Sequence, residues 1–221
     1  MEIGKYRQTR LSVFQIYYRQ TGLSHVKMNF MGKSKNSDPW RRILEVADRL
    51  FYADGVRATG TEKIMSLAEV AKATFYRHFE SKDALVLAYL DSRDRALWDY
   101  LAQPTSPKDL REALIKFEQM ANWPQIIGCP FLRIASEYPD IDHPYHRLAI
   151  KHQNKIVDYL TDLLEPFAIV DKRTAAAAIL NIIDGAFSIR MLYGNSKVVP
   201  ILSPAEAVLK GFQSARTRRR G

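Results

Sequence analysis

One stretch, residues 59–82, constrains the fold of this chain more than any other. It reads TGTEKIMSLAEVAKATFYRHFESK. Thr59 and Glu62 have the Thr-x-x-Glu spacing of a capping box, which predicts that a short helix begins just after Thr59. A break at residues 68–70 separates this helix from a second one over residues 71–79. Two short helices joined by a tight turn form a helix-turn-helix, and a third helix follows at once.

The second helix of this motif has two chemically different faces. Phe75 and Phe79 lie four residues apart and share one face, which is suited to packing on a scaffold. The other face is basic, aromatic and rich in hydroxyl groups, and it carries Lys72, Thr74, Tyr76, Arg77 and His78. Such a face can reach phosphates and base edges in the major groove of DNA. A basic face that meets only solvent is the alternative interpretation.

Residues 41–90 as a whole resemble the DNA-binding domain of TetR-family (tetracycline-repressor-like) transcriptional regulators. The matching residues are Ile43, Ala47, Leu50, Phe51, Gly55, Thr59, Ile64, Tyr76, His78, Phe79, Ser81, Lys82 and Leu85. Two positions differ, because the family's turn glycine is Glu69 here and its serine cap is Ala71. The resemblance implies that DNA is contacted by Thr59, Lys72, Ala73, Thr74, Tyr76, Arg77, His78 and Lys82.

The rest of the chain is also predicted to be helical. Helix starts are indicated by Asp38-Pro39, Ser81, Ser106, His143-Pro144, Asp171 and Ser203-Pro204. We expect an all-α protein of about nine helices. The resemblance places a three-helix DNA-binding domain over residues 38–97 and a helical ligand-binding and dimerisation domain over residues 98–215.

Residues 175–193 are apolar enough to suggest a membrane span. Asn181, Asp184 and Arg190 argue against this, because a charge at the centre of a bilayer costs about 2.5–3.5 kcal/mol. The resemblance implies instead that this helix and the last one pack against their copies in a homodimer. Candidate interface residues are Ile179, Ile182, Ile183, Ala186, Phe187 and Leu209. A core helix of a monomer is the alternative.

A pocket for a small-molecule effector is expected among the middle helices. Its apolar and aromatic candidates are Trp98, Phe117, Met120, Trp123, Phe131 and Tyr138. Its polar candidates are His146, Asn154 and Asn181. For each of these residues, an ordinary place in the core is the competing interpretation.

The formal net charge of +9 comes from the ends of the chain. Residues 1–37 carry +6 and residues 216–221 carry +4, which leaves −1 on the body between them. We expect residues 1–37 to form a disordered basic arm, or to lie upstream of a translation start at Met28 or Met31. Residues 216–221 are expected to form a basic tail. Both segments favour nucleic-acid binding if they lie near DNA.

The only cysteine, Cys129, excludes an internal disulfide and fits a reducing, cytoplasmic setting. Cys129, Glu137, His143 and His146 lack the spacing of a metal site and a third group to orient a nucleophile. We therefore expect no catalysis, metal or cofactor, and we expect Cys129 to be a packed core residue or a redox sensor. The chain is interpreted as a ligand-responsive repressor that binds an inverted-repeat operator as a homodimer. The alternative is a DNA-binding protein whose second domain only dimerises.

Overall fold

The computed structural model describes residues 38–102 and 109–218, with side chains as far as Gln213. This part of the chain contains nine α-helices, one short 3-10 helix and no strand, which confirms the all-α prediction. The predicted arm over residues 1–37, the predicted cap Ser106 and the last three residues lie outside it. The α-helices are α1 (Pro39–Asp54), α2 (Thr61–Ala68), α3 (Lys72–His78), α4 (Lys82–Ala102), α5 (Leu110–Ala121), α6 (Pro130–Glu137), α7 (Pro144–Leu163), α8 (Lys172–Tyr193) and α9 (Leu202–Arg218).

Several helices begin where their capping residues predict. The side chain of Asp38 accepts a hydrogen bond from Trp40 N at 3.1 Å, and Pro39 occupies the first helical position. Ser81 Oγ likewise accepts from Ala84 N, and Asp171 accepts from Thr174 N. In each case a short polar side chain satisfies an amide that has no partner inside the helix.

The predicted capping box at Thr59 is wrong. Thr59 is fully buried, and its Oγ1 donates to Gly55 O at 2.7 Å rather than accepting from the first turn of α2. The N-cap of α2 is Gly60, which makes no side-chain hydrogen bond. Thr59 therefore closes the end of α1, a role that its spacing to Glu62 could not reveal.

Other helix ends are set by tertiary contacts or by proline. Asp109 caps α5 by accepting from Glu112 N at 2.9 Å. Glu118 on α5 caps α9, because its Oε2 accepts from Ile201 N at 2.6 Å and from Leu202 N at 2.9 Å. Helix α7 ends at Leu163, shortly before Pro166, which disfavours helical geometry in the residue before it.

The turn between α2 and α3 has left-handed backbone geometry at a residue that is not glycine. Glu69 has φ 53°, where an L side chain is strained. Arg42 on α1 stabilises this turn, because its Nε donates to Ala68 O at 3.2 Å and its Nη2 donates to Glu69 O at 3.5 Å. The turn thus retains its geometry without glycine.

Helices α1 to α3 enclose one end of a continuous core, and α4 connects this end to the larger helical unit of α5 to α9. The boundary predicted after residue 97 falls inside α4, which runs without a break. In the larger unit, α8 packs against α5, α7 and α9.

Helix α8 with the residues that follow, Lys172–Ser196, is long and apolar enough to cross a membrane by composition. It nevertheless carries the buried Arg190, whose Nη2 donates to Trp123 O at 2.9 Å.

Candidate functional site

Helix α3 is positioned by an aromatic cluster on its inner side. Phe75 is fully buried, and its ring lies 6.3 Å from that of Phe79. Trp40, in the first turn of α1, stacks on Phe79 with the ring centroids 5.9 Å apart. These contacts fix the rotation of α3, so its opposite face is directed to solvent.

That outer face carries most of the residues predicted to contact DNA. Lys72, Ala73, Tyr76 and Arg77 are exposed, whereas Thr74, His78 and Lys82 are half-buried. The burial of Thr59 excludes its side chain from DNA contact, which corrects that prediction.

Two of the half-buried residues carry hydrogen-bond donors close to this face. Lys82 Nζ donates to Val56 O at 2.7 Å, which fixes the side chain at the start of α4. His78 Nε2 makes no hydrogen bond among the described residues, although it is buried. The Lys82 ammonium has further N–H groups that can donate to a phosphate, whereas the His78 ring must turn outward before its Nε2 can reach one.

A cavity of about 80 Å³ lies in the larger unit, between α4, α5, α6, α7 and α8. Four predicted pocket residues line it: Phe117, Met120, Trp123 and Phe131. The wall is largely aromatic and aliphatic, which suits an apolar ligand.

The other five predicted pocket residues do not line this cavity. Trp98 packs edge-on against Tyr159 and donates to Asp94 Oδ1 at 3.0 Å. Tyr138 and His146 contact each other near the turn between α6 and α7, where His146 Nδ1 lies 2.7 Å from Tyr138 O. Asn154 and Asn181 are exposed, on α7 and α8 respectively. Helical spacing placed these residues on the correct elements but did not determine which way each side chain faces.

The polar residues that line the cavity include Tyr52, Arg93, Cys129, His152 and Asp184, none of which the sequence singled out as pocket residues. Burial raises the pKa of Asp184, although a hydrogen bond from Gln153 opposes the rise. Burial also raises the pKa of the Cys129 thiol to about 12, so this cysteine stays protonated and is poorly suited to redox sensing. The sequence feature that could have identified a polar residue of the cavity wall is a charged residue within an otherwise apolar helix, such as Asp184 in α8.

His152 is fixed at the cavity wall by an ionic network. Its Nδ1 lies 2.7 Å from Asp94 Oδ1, and its ring stacks on Phe131 with the centroids 3.6 Å apart. Lys155 Nζ donates to the other oxygen of Asp94 at 2.9 Å. Burial opposes the ionisation of Asp94, but the hydrogen bonds from His152, Lys155 and Trp98 outweigh it and hold the pKa of Asp94 well below its usual range.

A buried ion pair connects the cavity wall to the helix-turn-helix unit. Arg93 on α4 donates to both carboxylate oxygens of Asp48 on α1, at 2.5 and 3.0 Å. The guanidinium lies 4.0 Å from the ring centroid of Tyr52, whose hydroxyl donates to Gly128 O at 2.7 Å. Burial raises the pKa of Asp48, and the attraction of Arg93 opposes this rise.

Helix α6 makes a second connection, which we name the α6 bridge and define by Arg133 and Glu137. Arg133 donates to Tyr52 O at 2.7 Å and to Ala53 O at 3.1 Å, where the last carbonyls of α1 lack helical partners. Glu137 accepts from Val56 N at 3.2 Å and from Arg57 N at 2.9 Å. The same short helix carries Phe131 of the cavity wall.

The predicted dimer residues point mainly into the core of the single chain. Ile179, Ile183, Ala186, Phe187 and Leu209 are buried within it, which corrects their assignment to an intersubunit surface, while Ile182 is half-buried. Because α8 is apolar on most sides, its sequence does not indicate which side meets the core.

The opposite side of α8 is exposed, and it is lined by Asn181, Gly185, Ser188, Ile189 and Leu192 at helical spacing. We name this surface the outer face of α8. Leu192 is 75% exposed, which is high for a large apolar side chain.

Comparison with known proteins agrees with this architecture. Residues 43–89 match the family model described as "Bacterial regulatory proteins, tetR family". The crystal structure of SCO4454, a TetR-family transcriptional regulator from Streptomyces coelicolor, is 33% identical, with a TM-score of 0.71 over 79% of this chain and 96% of that one. The uncharacterized HTH-type transcriptional regulator YvkB of Bacillus subtilis is 29% identical over 162 residues, which is 70% of this chain and 84% of YvkB. The HTH-type transcriptional repressor NemR of Escherichia coli is 22% identical over 142 residues, which is 61% of this chain and 71% of NemR.

An all-α chain with a helix-turn-helix joined to a larger helical unit, and with regulators among its relatives, is a DNA-binding transcriptional regulator. This chain belongs to the TetR family.

Proposed function

We propose that this regulator represses transcription as a homodimer on an inverted-repeat operator in the cytoplasm, and that a small molecule bound in the cavity releases it. The observation that carries the proposal is that two helices of the cavity wall also contact α1. Helix α4 does so through Arg93 and Asp48, and α6 does so through the α6 bridge. A ligand that shifts either helix therefore changes the position of the helix-turn-helix.

DNA is recognised by the outer face of α3 and the start of α4. We assign phosphate contacts to Tyr76, His78 and Lys82: Tyr76 and Lys82 carry a hydrogen-bond donor near this face, and the buried Nε2 of His78 becomes available when the ring turns outward. Lys72, Ala73 and Thr74, in the first turn of α3, are assigned to base edges, and Arg77 to the same groove.

The outer face of α8 supports a dimer. Gly185 lies in the interior of α8 and Gly211 in that of α9, and a Cβ at either position would have no neighbour within 4 Å in the single chain. Glycine inside a helix costs about 1 kcal/mol relative to alanine. Because glycine has no side chain, it allows the same helices of a second copy to approach closely at these two positions.

Release of the operator by a ligand requires coupling between the cavity and the DNA-binding face. The N-terminus of α4 carries Lys82 beside α3, and its later turns line the cavity with Arg93 and Leu97. With 21 residues, α4 spans roughly 30 Å at 1.5 Å per residue. Coupling of about 1–3 kcal/mol is ordinary and must be reciprocal, so operator DNA weakens ligand binding by the same factor.

A second candidate function is DNA binding without a ligand, the larger unit serving only to dimerise. The size of the cavity favours it, because pockets for drug-sized ligands measure about 300–1,000 Å³ and this one measures about 80 Å³. The two candidates differ in whether any small molecule changes operator affinity.

Operator binding is tested first, with a duplex selected from random sequence by the wild-type protein. We expect an inverted repeat. Lys82→Ala should weaken binding to operator and to random duplex alike, and it should lower the slope of log K against log salt concentration by about one unit, because one phosphate contact is lost. Lys172→Ala, a lysine paired with Glu165 in the larger unit, is the matched control and should change neither quantity. A change of sequence preference without loss of overall affinity would contradict the phosphate assignment.

A further inference from the structure

A second cavity of about 220 Å³ lies beside the first, between α4, α6 and α7. We name it the outer cavity, since Asp91, Lys151 and Lys155 on its rim are exposed, and we name the 80 Å³ space the inner cavity. Phe131 and His152 belong to both walls. Their rings stack nearly parallel, with an interplanar angle of 10°, so this ring pair separates the two spaces.

The two cavities differ in chemistry. The inner cavity is lined mainly by aromatic and aliphatic side chains, and its one cation, Arg93, already binds both oxygens of Asp48. A carboxylate, Asp184, also faces the inner cavity, and no unpaired cation among the described lining residues offsets it there. The inner cavity therefore suits the uncharged, apolar part of a ligand.

Among the described residues, the charges of the outer cavity leave one cation without an ion-pair partner. Asp91 pairs with Arg95 at 2.7 Å, and Asp94 is bonded to His152, Lys155 and Trp98. Lys151 lines the same cavity and forms no ion pair within the described ranges 38–102 and 109–213. An anion placed in the outer cavity would therefore meet a free ammonium group.

We propose that the effector is an amphipathic carboxylate, with its apolar body in the inner cavity and its carboxylate at Lys151 in the outer cavity. Cavities of about 80 and 220 Å³ together reach the lower end of the size range of small-molecule pockets. Such a ligand crosses the position of the ring pair and must displace Phe131 or His152. Because Phe131 lies on the same helix as Arg133 and Glu137, this displacement acts on the α6 bridge. The inference rests on the proposed function, since it names the ligand class of that effector site.

The test is isothermal titration calorimetry of the full-length protein with three compounds that differ only in the head group: phenylbutyrate, phenylbutanol and phenylbutylamine. We expect phenylbutyrate to bind the wild type most tightly. Lys151→Met should weaken its binding about tenfold, the size of a partly exposed charge-assisted hydrogen bond, and should leave phenylbutanol unchanged. Lys151→Arg should restore the affinity for phenylbutyrate. Lys63→Met, which removes a lysine on α2 that lines neither cavity, is the matched control and should bind all three compounds as the wild type does.

Several results would overturn the inference: no binding of any of the three compounds, equal binding of acid and alcohol, tightest binding of the amine, or no effect of Lys151→Met. Operator affinity is measured in parallel by fluorescence anisotropy. If phenylbutyrate binds as expected but operator affinity is unchanged, the ligand assignment stands and release by ligand fails. If the alcohol or the amine releases the operator instead, release stands and the carboxylate assignment fails.

Discussion

At the scale of single residues, some charged side chains of this protein form hydrogen bonds to backbone groups that are distant in the sequence, and their sequence positions do not reveal this. Arg42 and Glu118 satisfy backbone groups on other helices, at the turn after α2 and at the start of α9. Asp38, Ser81 and Asp171 cap their own helices and were predictable, since a cap acts over two or three residues. The sequence does not reveal the role of Thr59, because its hydroxyl donates back to Gly55 O instead of accepting from the first turn of α2.

Asp94 gives a prediction for the dependence of stability on pH. Its pKa in the folded protein lies below that of an unfolded aspartate, so the stabilisation is fully present above the unfolded pKa of about 3.9 and is lost progressively as the pH falls from there to the lower pKa of the folded protein. Asp94→Asn should lower the free energy of unfolding by about 1–3 kcal/mol near pH 7, because hydrogen bonds to a charged group are lost. The difference from wild type should shrink as the pH is lowered from 5 toward 3.

The measurement is urea unfolding at a series of pH values. Asp99→Asn is the matched control, because Asp99 is exposed on the same helix. It should follow the wild type at every pH. A deficit for Asp94→Asn that stays constant across the series would show that the stabilisation does not come from the ionised carboxylate.

At the scale of elements, the helices were predictable and their rotations were not. Capping residues and proline locate the start of α1, α7 and α8 within a residue. Which side of a helix meets the core depends on its neighbours. Helix α8 is apolar on most sides, so its sequence pattern does not distinguish a core position from an interface position for Ile183 and Phe187. Of the residues predicted for the pocket, Phe117 and Phe131 line the inner cavity, whereas Asn181 is exposed on the other side of α8.

The α6 bridge gives a prediction at this scale. Glu137→Ala removes the acceptor of the amides of Val56 and Arg57, so both amides should exchange with solvent roughly tenfold faster. Hydrogen exchange monitored by mass spectrometry or NMR measures this rate.

Ser136→Ala is the control for that experiment. Ser136 is the exposed neighbour of Glu137, and its hydroxyl donates within α6, to Leu132 O. It should leave the exchange of Val56 and Arg57 unchanged. If the amides of Val56 and Arg57 exchange equally fast in Glu137→Ala and Ser136→Ala, the α6 bridge is not maintained in solution. Coupling between the cavity and the helix-turn-helix would then have to depend on α4 alone.

At the scale of the whole molecule, two groups of contacts set how the parts act together. Arg93 and the α6 bridge join the larger unit to α1, and the outer face of α8 is the surface that we propose for joining two chains. The cavities lie between these regions, against α4, α6, α7 and α8. A ligand there can change the spacing of two DNA-binding units only if the dimer contact stays fixed while α4 and α6 move. Dimerisation is therefore a condition for the proposed mechanism.

Gly185→Glu tests that condition. In a two-fold interface the same face of α8 meets its own copy, so the substitution places two carboxylates near each other and prevents the close approach of the helices. The exposed site and the higher helix propensity of glutamate leave the single chain as stable as before. Light scattering after size-exclusion chromatography should give the mass of one chain. Operator affinity should fall by at least about 100-fold, because the two half-sites are no longer bound by linked units. Asn154→Glu, which adds the same charge at an exposed position on α7, should stay dimeric and bind the operator as the wild type does. If Gly185→Glu remains a dimer with wild-type operator affinity, the chains associate through another surface, and the outer face of α8 plays no part in DNA binding.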